Sequence, residues 1–146
     1  MEIRAARPTD AGKVGAILSD FTDSTPWMPR LHSRAEDVAH AGALIDRGWV
    51  TVAEVAGDVA GFCARDRDDL DALYVASDMR GRGVGSTLLR HLQGSVPYLW
   101  LWTFQANLRA QAFYLRHGFR EVARTDGRDT AEGLPDIRYE WRRKEA

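Results

Sequence analysis

The run Arg80-Gly81-Arg82-Gly83-Val84-Gly85-Ser86 lies between an apolar stretch and the start of an amphipathic one. Three alternate glycines let the backbone take positive φ angles and come close to a ligand with no Cβ in the way. The first amides of a following helix have no intrahelical acceptor, and the helix dipole places partial positive charge there. Such a turn is a cradle for a pyrophosphate, to which Arg80 and Arg82 add charge. Two better-known phosphate loops do not fit. A P-loop needs a lysine after its last glycine, and Ser86 follows Gly85 here. A dinucleotide-binding fingerprint needs two residues between its second and third glycines, where this run has only Val84. A nucleotide-phosphate binder is therefore the weaker reading, and a flexible turn ahead of a helix is the plain structural one.

A second group of residues follows: Asn107, then Ala112, Phe113 and Tyr114, then Gly118 and Phe119. A tyrosine hydroxyl can hand its proton to a leaving group, as a general acid does. Structurally, an asparagine before an apolar run is an N-cap and a tyrosine in that run is core. Four carboxylates, Asp66, Asp68, Asp69 and Asp71, form an acidic turn ahead of the glycine run. They are either a solvated turn or a source of a general base.

The elements that must position these residues follow from periodicity and caps. Residues 2–6 read as a strand. Pro8-Thr9-Asp10 opens a helix to about Phe21, with Val14, Ile17, Leu18 and Phe21 at helical spacing. Residues 23–33 read as a loop with two prolines, and Ser33 with Glu36 makes a capping box for a second helix. Val38, Ala41, Leu44 and Ile45 give that helix its stripe, and Gly48 ends it. Residues 49–56 and 59–65 flank Gly57-Asp58 as a β-hairpin. Residues 70–75 are a third strand-like run, and a helix spans about 83–93. Residues 98–103 are a strand in which Trp100 and Trp102 alternate with Leu99 and Leu101, which predicts burial on both faces. Residues 107–117 form a helix closed by Gly118, and residues 119–124 and 137–141 are the last strands. The polar loop between those two carries no readable signal. The order is β α α β β β α β α β β, an α+β domain with a mixed sheet.

The glycine turn resembles the central signature of the GNAT acyltransferase superfamily (Gln or Arg, two residues, Gly, one residue, Gly or Ala) through Arg80, Gly83 and Gly85. Asn107 with Ala112-Phe113-Tyr114 and Gly118-Phe119 resembles that family's second motif, one strand later and in family order. The resemblance is strong over residues 70–124, and the flanking order fits one GNAT domain over residues 1–146. It implies a three-layer fold with four helices and a mixed, mostly antiparallel sheet of six or seven strands, splayed between the fourth and fifth. It implies transfer of an acetyl or other acyl group from acetyl-CoA to a primary amine of a small molecule or peptide, by direct attack in a ternary complex. The amides of Gly81, Arg82, Gly83, Val84, Gly85 and Ser86 would hold the coenzyme A pyrophosphate beside Arg80. Backbone groups of Leu73, Tyr74 and Val75 would pair with the pantetheine arm, which Asn107 would also bond, and Tyr114 would lie beside the thioester sulfur. A module of the same fold that binds acyl-CoA without catalysis is the alternative, and Tyr114 argues against it.

An alkylammonium, with a pKa near 10, must lose a proton before it attacks a thioester. Asp71 stands where many relatives carry an acid and is the leading base, with Glu54, His32 or a chain of waters behind it. The stretch Thr25-Pro26-Trp27-Met28-Pro29-Arg30-Leu31-His32 falls where the family's acceptor-side loop belongs. Apolar and aromatic residues in a loop suit a pocket wall, a packing contact with the sheet or the face of a homodimer.

Composition bounds the rest. The chain has 146 residues, 45% hydrophobic and 28% charged, with a formal net charge of −1. That is one globular domain without the global field that attracts nucleic acid or anionic membrane. Only Lys13 and Lys144 are lysines among 20 basic residues. One cysteine, Cys63, excludes an internal disulfide and reads as a small core residue; no metal site is legible. No apolar run reaches the roughly 18 residues of a membrane span, and the N-terminal residues lack the apolar core of a signal peptide. The cytoplasm is the expected compartment.

Overall fold

The computed structural model describes residues 1–144. Seven strands pair in the order β1-β2-β3-β4-β5-β7-β6. They are β1 (Glu2–Ala5), β2 (Val50–Val55), β3 (Asp58–Asp66), β4 (Asp69–Val75), β5 (Tyr98–Phe104), β6 (Arg120–Thr125) and β7 (Asp136–Arg142). Four helices accompany them: α1 (Ala11–Ser24), α2 (Arg34–Asp46), α3 (Val84–Ser95) and α4 (Leu108–Arg116). Each neighbouring pair is antiparallel except β4 with β5. A parallel pair needs a crossover, and α3 supplies it.

Local chemistry explains the boundaries. Ser33 Oγ accepts from the Glu36 amide at 3.1 Å while the Glu36 carboxylate accepts from the Ser33 amide at 2.9 Å, so the predicted capping box starts α2. Gly118, at φ +88°, closes α4. Helices α1 and α2 cover one face of the sheet through Val14, Ile17, Leu44 and Ile45, packed on Val50, Val52 and Phe62. Helices α3 and α4 cover the other through Leu88, Leu89 and Tyr114, packed on Cys63, Leu99, Leu101 and Ile137. The result is the expected three-layer α+β arrangement.

Three details differ from the sequence reading. The β2–β3 hairpin turns on Ala56-Gly57, at φ 52° and 84°, one residue earlier than Gly57-Asp58. Two successive positive φ angles match the right-handed strand twist, and Val55 pairs with Asp58 across them. Val38 sits at the margin of its helix stripe and stays 36% exposed. Trp102 is 41% exposed, so β5 is buried on one face only. Helices α1 and α2 end over β4, and β5 beyond them is dressed by β7 instead: the Arg138 guanidinium stands 4.3 Å from the Trp100 ring centre.

Candidate functional site

Strands β4 and β5 touch only at their starts, where Asp69 pairs with Trp100 and the Trp100 amide donates to Asp68 O at 2.9 Å. Beyond that bridge they part, which is the splay expected between the fourth and fifth strands. The Ala76 amide donates to Ala60 O on β3 at 2.8 Å. Alternation along a strand then turns the backbone groups of Val75 and Leu73 to the opposite edge, where no strand among the described residues meets them. Tyr74 departs from its expected place. Its carbonyl faces Gly61 on β3, and its ring crosses to the α1–α2 face, 4.9 Å from Phe21 and 5.8 Å from Phe62.

The free edge leads into the glycine turn. Gly81 and Gly83 hold φ +78° and +80°, and Gly83 is the N-cap of α3 with no side chain capping it. Among the described residues, no backbone N–H from 80 to 86 donates to a protein acceptor. A Cβ at Gly81 or Gly83 would meet nothing within 4 Å, so both face open space. Gly85 differs: a Cβ there would lie 3.5 Å from the Phe113 ring and from Val75, so this glycine seats α3 on α4 and β4. Arg80 and Arg82 are exposed beside the turn. Unpartnered amides converging on open space at a helix start fit an anionic group such as a pyrophosphate.

Helix α4 brings the second group alongside. Asn107 Oδ1 accepts from the Ala110 amide at 3.1 Å, so Asn107 is an N-cap. Tyr114 is 8% exposed, with Phe113, Phe119 and Tyr139 ring centres 5.2, 5.3 and 6.4 Å away. Burial pushes its phenol well above the ordinary tyrosine range, so the proton is held at any working pH. Its hydroxyl has no hydrogen-bond partner among the described residues, yet it is not sealed from solvent. Burial likewise pushes the Cys63 thiol up to about 12, and this cysteine is core. Sequence reasoning missed one contact here: Ser86 Oγ and His117 Nε2 lie 2.9 Å apart.

On the α1–α2 face lies a groove of about 550 Å³. Trp27 stands between Phe21 and Phe104, with ring centres 6.3 and 5.8 Å away, and so ties α1 to the end of β5 across the splay. Arg30 fixes the same loop: it donates to Asp23 at 2.8 Å, His32 O at 2.7 Å and Ser19 O at 3.1 Å, and reaches Asp37 at 3.3 Å. Met28, Leu31 and His32 line the groove with His40, Tyr74 and Glu132. A smaller recess of about 160 Å³ beside it is lined by Asp71, His40 and Tyr74.

Asp71 reaches that recess because of a β-bulge. Ala64 pairs with Ala72 and Arg65 with Leu70, leaving Asp71 as the extra, exposed residue of β4. Asp69 is the less expected acid. Partial burial, then the Asp71 and Asp66 charges, push its carboxyl up to about 6, against the pull of Arg138. Of the other bases considered, Glu54 is engaged by Arg4 at 3.5 Å on the β1–β2 edge, away from the groove. His32 is on the groove, 3.9 Å from Glu36. Nothing in one sequence marks Phe104, His40 or Glu132, because each joins the groove only through contacts distant along the chain.

Comparison with known proteins agrees with this fold. A family model described as an acetyltransferase (GNAT) domain matches residues 46–121. The chain is 33% identical over 137 residues to the peptidyl-lysine N-acetyltransferase YjaB of Escherichia coli strain K12, covering 92% of each protein. The solution structure of apo-form YjaB from Escherichia coli superposes with a TM-score of 0.80 at 24% identity, over 98% of both chains. The structure of yncA from Salmonella typhimurium, a putative acetyltransferase with its cofactor acetyl-CoA, superposes with a TM-score of 0.75 at 21% identity, over 100% of this chain and 95% of that one.

Proposed function

The chain belongs to the GNAT acetyltransferase family, and we propose that it moves an acetyl group from acetyl-CoA to a primary amine, with the lysine side chain of a peptide as acceptor. One observation carries the reading. The free edge of β4 at Leu73 and Val75 runs into seven consecutive amides, residues 80–86, that have no protein acceptor among the described residues.

The residues present fit the cosubstrate. The amides of Gly81, Arg82, Gly83, Val84, Gly85 and Ser86 hold the pyrophosphate, with Arg80 and Arg82 adding charge. Leu73 and Val75 offer backbone groups to the pantetheine amides as a neighbouring strand would, and Asn107 has side-chain N–H groups left to donate to them. Acetyl-CoA supplies the acyl group and a thiolate leaving group. Tyr114, kept protonated by burial, donates to that thiolate sulfur. Asp71 takes the proton from the acceptor ammonium in the recess it shares with His40 and Tyr74. The relative's acceptor is peptidyl lysine by its name. The groove suits such a chain, since it places aromatic rings against an alkyl stem and carboxylates near the ammonium.

The test is release of free thiol from acetyl-CoA with lysine-containing peptides, against small amines. Turnover with a peptide and none after its lysine is acetylated is the expected result. Tight acetyl-CoA binding without turnover on any amine would leave a binding module instead.

A further inference from the structure

His117 lies beside the glycine turn without belonging to it. Its Nε2 meets Ser86 Oγ at 2.9 Å, and Ser86 supplies the last of the unpartnered amides at the start of α3. The ring is held from several sides. Phe113 on α4 lies 4.6 Å from it between centres, and the Gln93 side chain on α3 donates to the His117 carbonyl at 2.9 Å. Next to it, a Cβ at Gly118 would lie 3.4 Å from the Trp141 ring of β7. The charged groups facing the imidazole are Arg90 from α3 and Arg116 from α4, and no carboxylate among the described residues offsets them. Partial burial and these two cations hold the imidazole below the ordinary histidine range, so it is neutral at pH 7.

We propose that His117 is a positioning residue for the anion held by the glycine turn, taking up a proton from solvent as the anion binds and acting on the anion through the Ser86 hydroxyl. This rests on the proposed placement of the pyrophosphate. With the ring neutral, the serine hydroxyl can donate to Nε2, which turns its proton away from the cradle. An anion at the amides of residues 81–86 reverses both preferences. The hydroxyl donates to a phosphate oxygen, Nε2–H donates to Ser86 Oγ, and the arriving negative charge offsets Arg90 and Arg116. A neighbouring opposite charge favours the charged form of a titrating group. Acetyl-CoA binding should therefore strengthen as pH falls from 8 toward 6.

The experiment follows the imidazole of His117 by NMR, assigned with His117→Gln, with and without acetyl-CoA. A rise in its pKa of about one unit or more on binding is expected, which corresponds to about tenfold in affinity across the titration. Calorimetric affinities at pH 6 and pH 8 give the second readout. His117→Gln keeps a polar partner for Ser86 but cannot titrate. It should bind like the wild type at pH 8 and several-fold more weakly at pH 6, with the full tenfold reached only at lower pH. The variant controls for the titration of the coenzyme A phosphates, which acts equally on both proteins. Ser86→Ala should shrink the pKa rise. An unchanged His117 pKa with acetyl-CoA bound, or equal losses at both pH values, overturns the inference and leaves the placement of the anion standing. No binding of acetyl-CoA at either pH overturns that placement and this inference with it.

Discussion

The two sides of the cleft between β4 and β5 are built by opposite means. On one side, Leu73, Val75 and residues 80–86 contribute main-chain groups from a contiguous stretch, and the glycines define the shape. On the other, Phe21, Trp27, Arg30, Tyr74, Phe104 and Glu132 come from α1, a loop, two strands and a second loop. A wall of backbone is insensitive to most side-chain changes and fails when the chain cannot take its conformation. A wall of side chains fails one contact at a time. The first suits a constant ligand and the second a ligand that changes between relatives.

The largest effect is expected from distorting the backbone wall. Gly83→Val places a branched Cβ at φ +80°, where nothing clashes but the conformation itself is strained, by about 1–3 kcal/mol. Relief of that strain moves the amides of α3's first turn. Losing two or three charge-assisted bonds at about 1.5 kcal/mol each lowers acetyl-CoA affinity by ~10²–10³-fold. Calorimetric titration measures it, with circular dichroism showing that the fold is kept. Unchanged affinity would place the anion elsewhere.

Next come the two groups proposed to move protons, one on each side. Tyr114→Phe removes a hydroxyl with no hydrogen-bond partner among the described residues, so thermal stability should hold. The kcat should nevertheless fall ~10²-fold, the scale of a general acid, with acetyl-CoA affinity nearly unchanged. A constant kcat with a raised KM would make Tyr114 a packing residue. Asp71→Asn should also cost ~10²-fold at neutral pH, and less at high pH where free amine is abundant. A wild-type pH–rate profile in that variant would pass the role to a water or to His32.

The same contrast explains what could be read without the structure. The glycine turn and the α4 motif were legible because their geometry is local: φ signs, cap positions and helix spacing are set within a few residues. Even there the spacing does not show that Gly85, besides offering its amide, packs closely on Phe113 and Val75, since those neighbours are distant in sequence. Tyr74 was assigned by adjacency to Leu73 and Val75, but strand alternation sends it to the opposite face. The acidic turn offered four aspartates, among which only the family resemblance singled out Asp71. A bulge distinguishes Asp71, and closeness to Trp100 distinguishes Asp69, neither of which a strand pattern encodes. Trp100 and Trp102 read as core because alternation predicts a buried face but not where a covering helix ends.

A smaller effect is expected from the side-chain wall. Trp27→Ala removes edge-on contacts with Phe21 and Phe104, worth about 0.5–1.5 kcal/mol each beyond their buried area. The groove should widen and the acceptor KM should rise by ~10-fold. Acetyl-CoA affinity should not move, because Trp27 packs on Phe21 and Phe104 rather than supplying the main-chain wall. Trp27→Phe should recover most of the loss. A parallel fall in acetyl-CoA affinity would show that the two walls are coupled through Phe104.

The smallest effect tests the point where the walls meet, the pairing of Asp69 with Trp100. The Asp69 carboxyl is pushed from 3.8 to about 6 in the folded chain, first by burial and then by Asp71 and Asp66. Between those two values the folded state binds more protons than the unfolded state, so stability falls as pH rises through the window. At pH 7 the whole cost is in force, and at pH 4 little of it remains. Asp69 is only partly buried, so solvent screening brings the effect down to about 1 kcal/mol of lost stability. Asp69→Asn keeps the shape and removes the charge. Its melting temperature should exceed the wild type's by about 3 °C at pH 7, with the gain vanishing near pH 4. Arg138 attracts the ionised carboxylate, so Arg138→Gln should deepen the wild type's loss at pH 7. Equal stabilities of Asp69→Asn and wild type at both pH values would mean that Asp69 stays fully hydrated. The closed end of the cleft would then be wet, and the acceptor side would begin there rather than at Asp71.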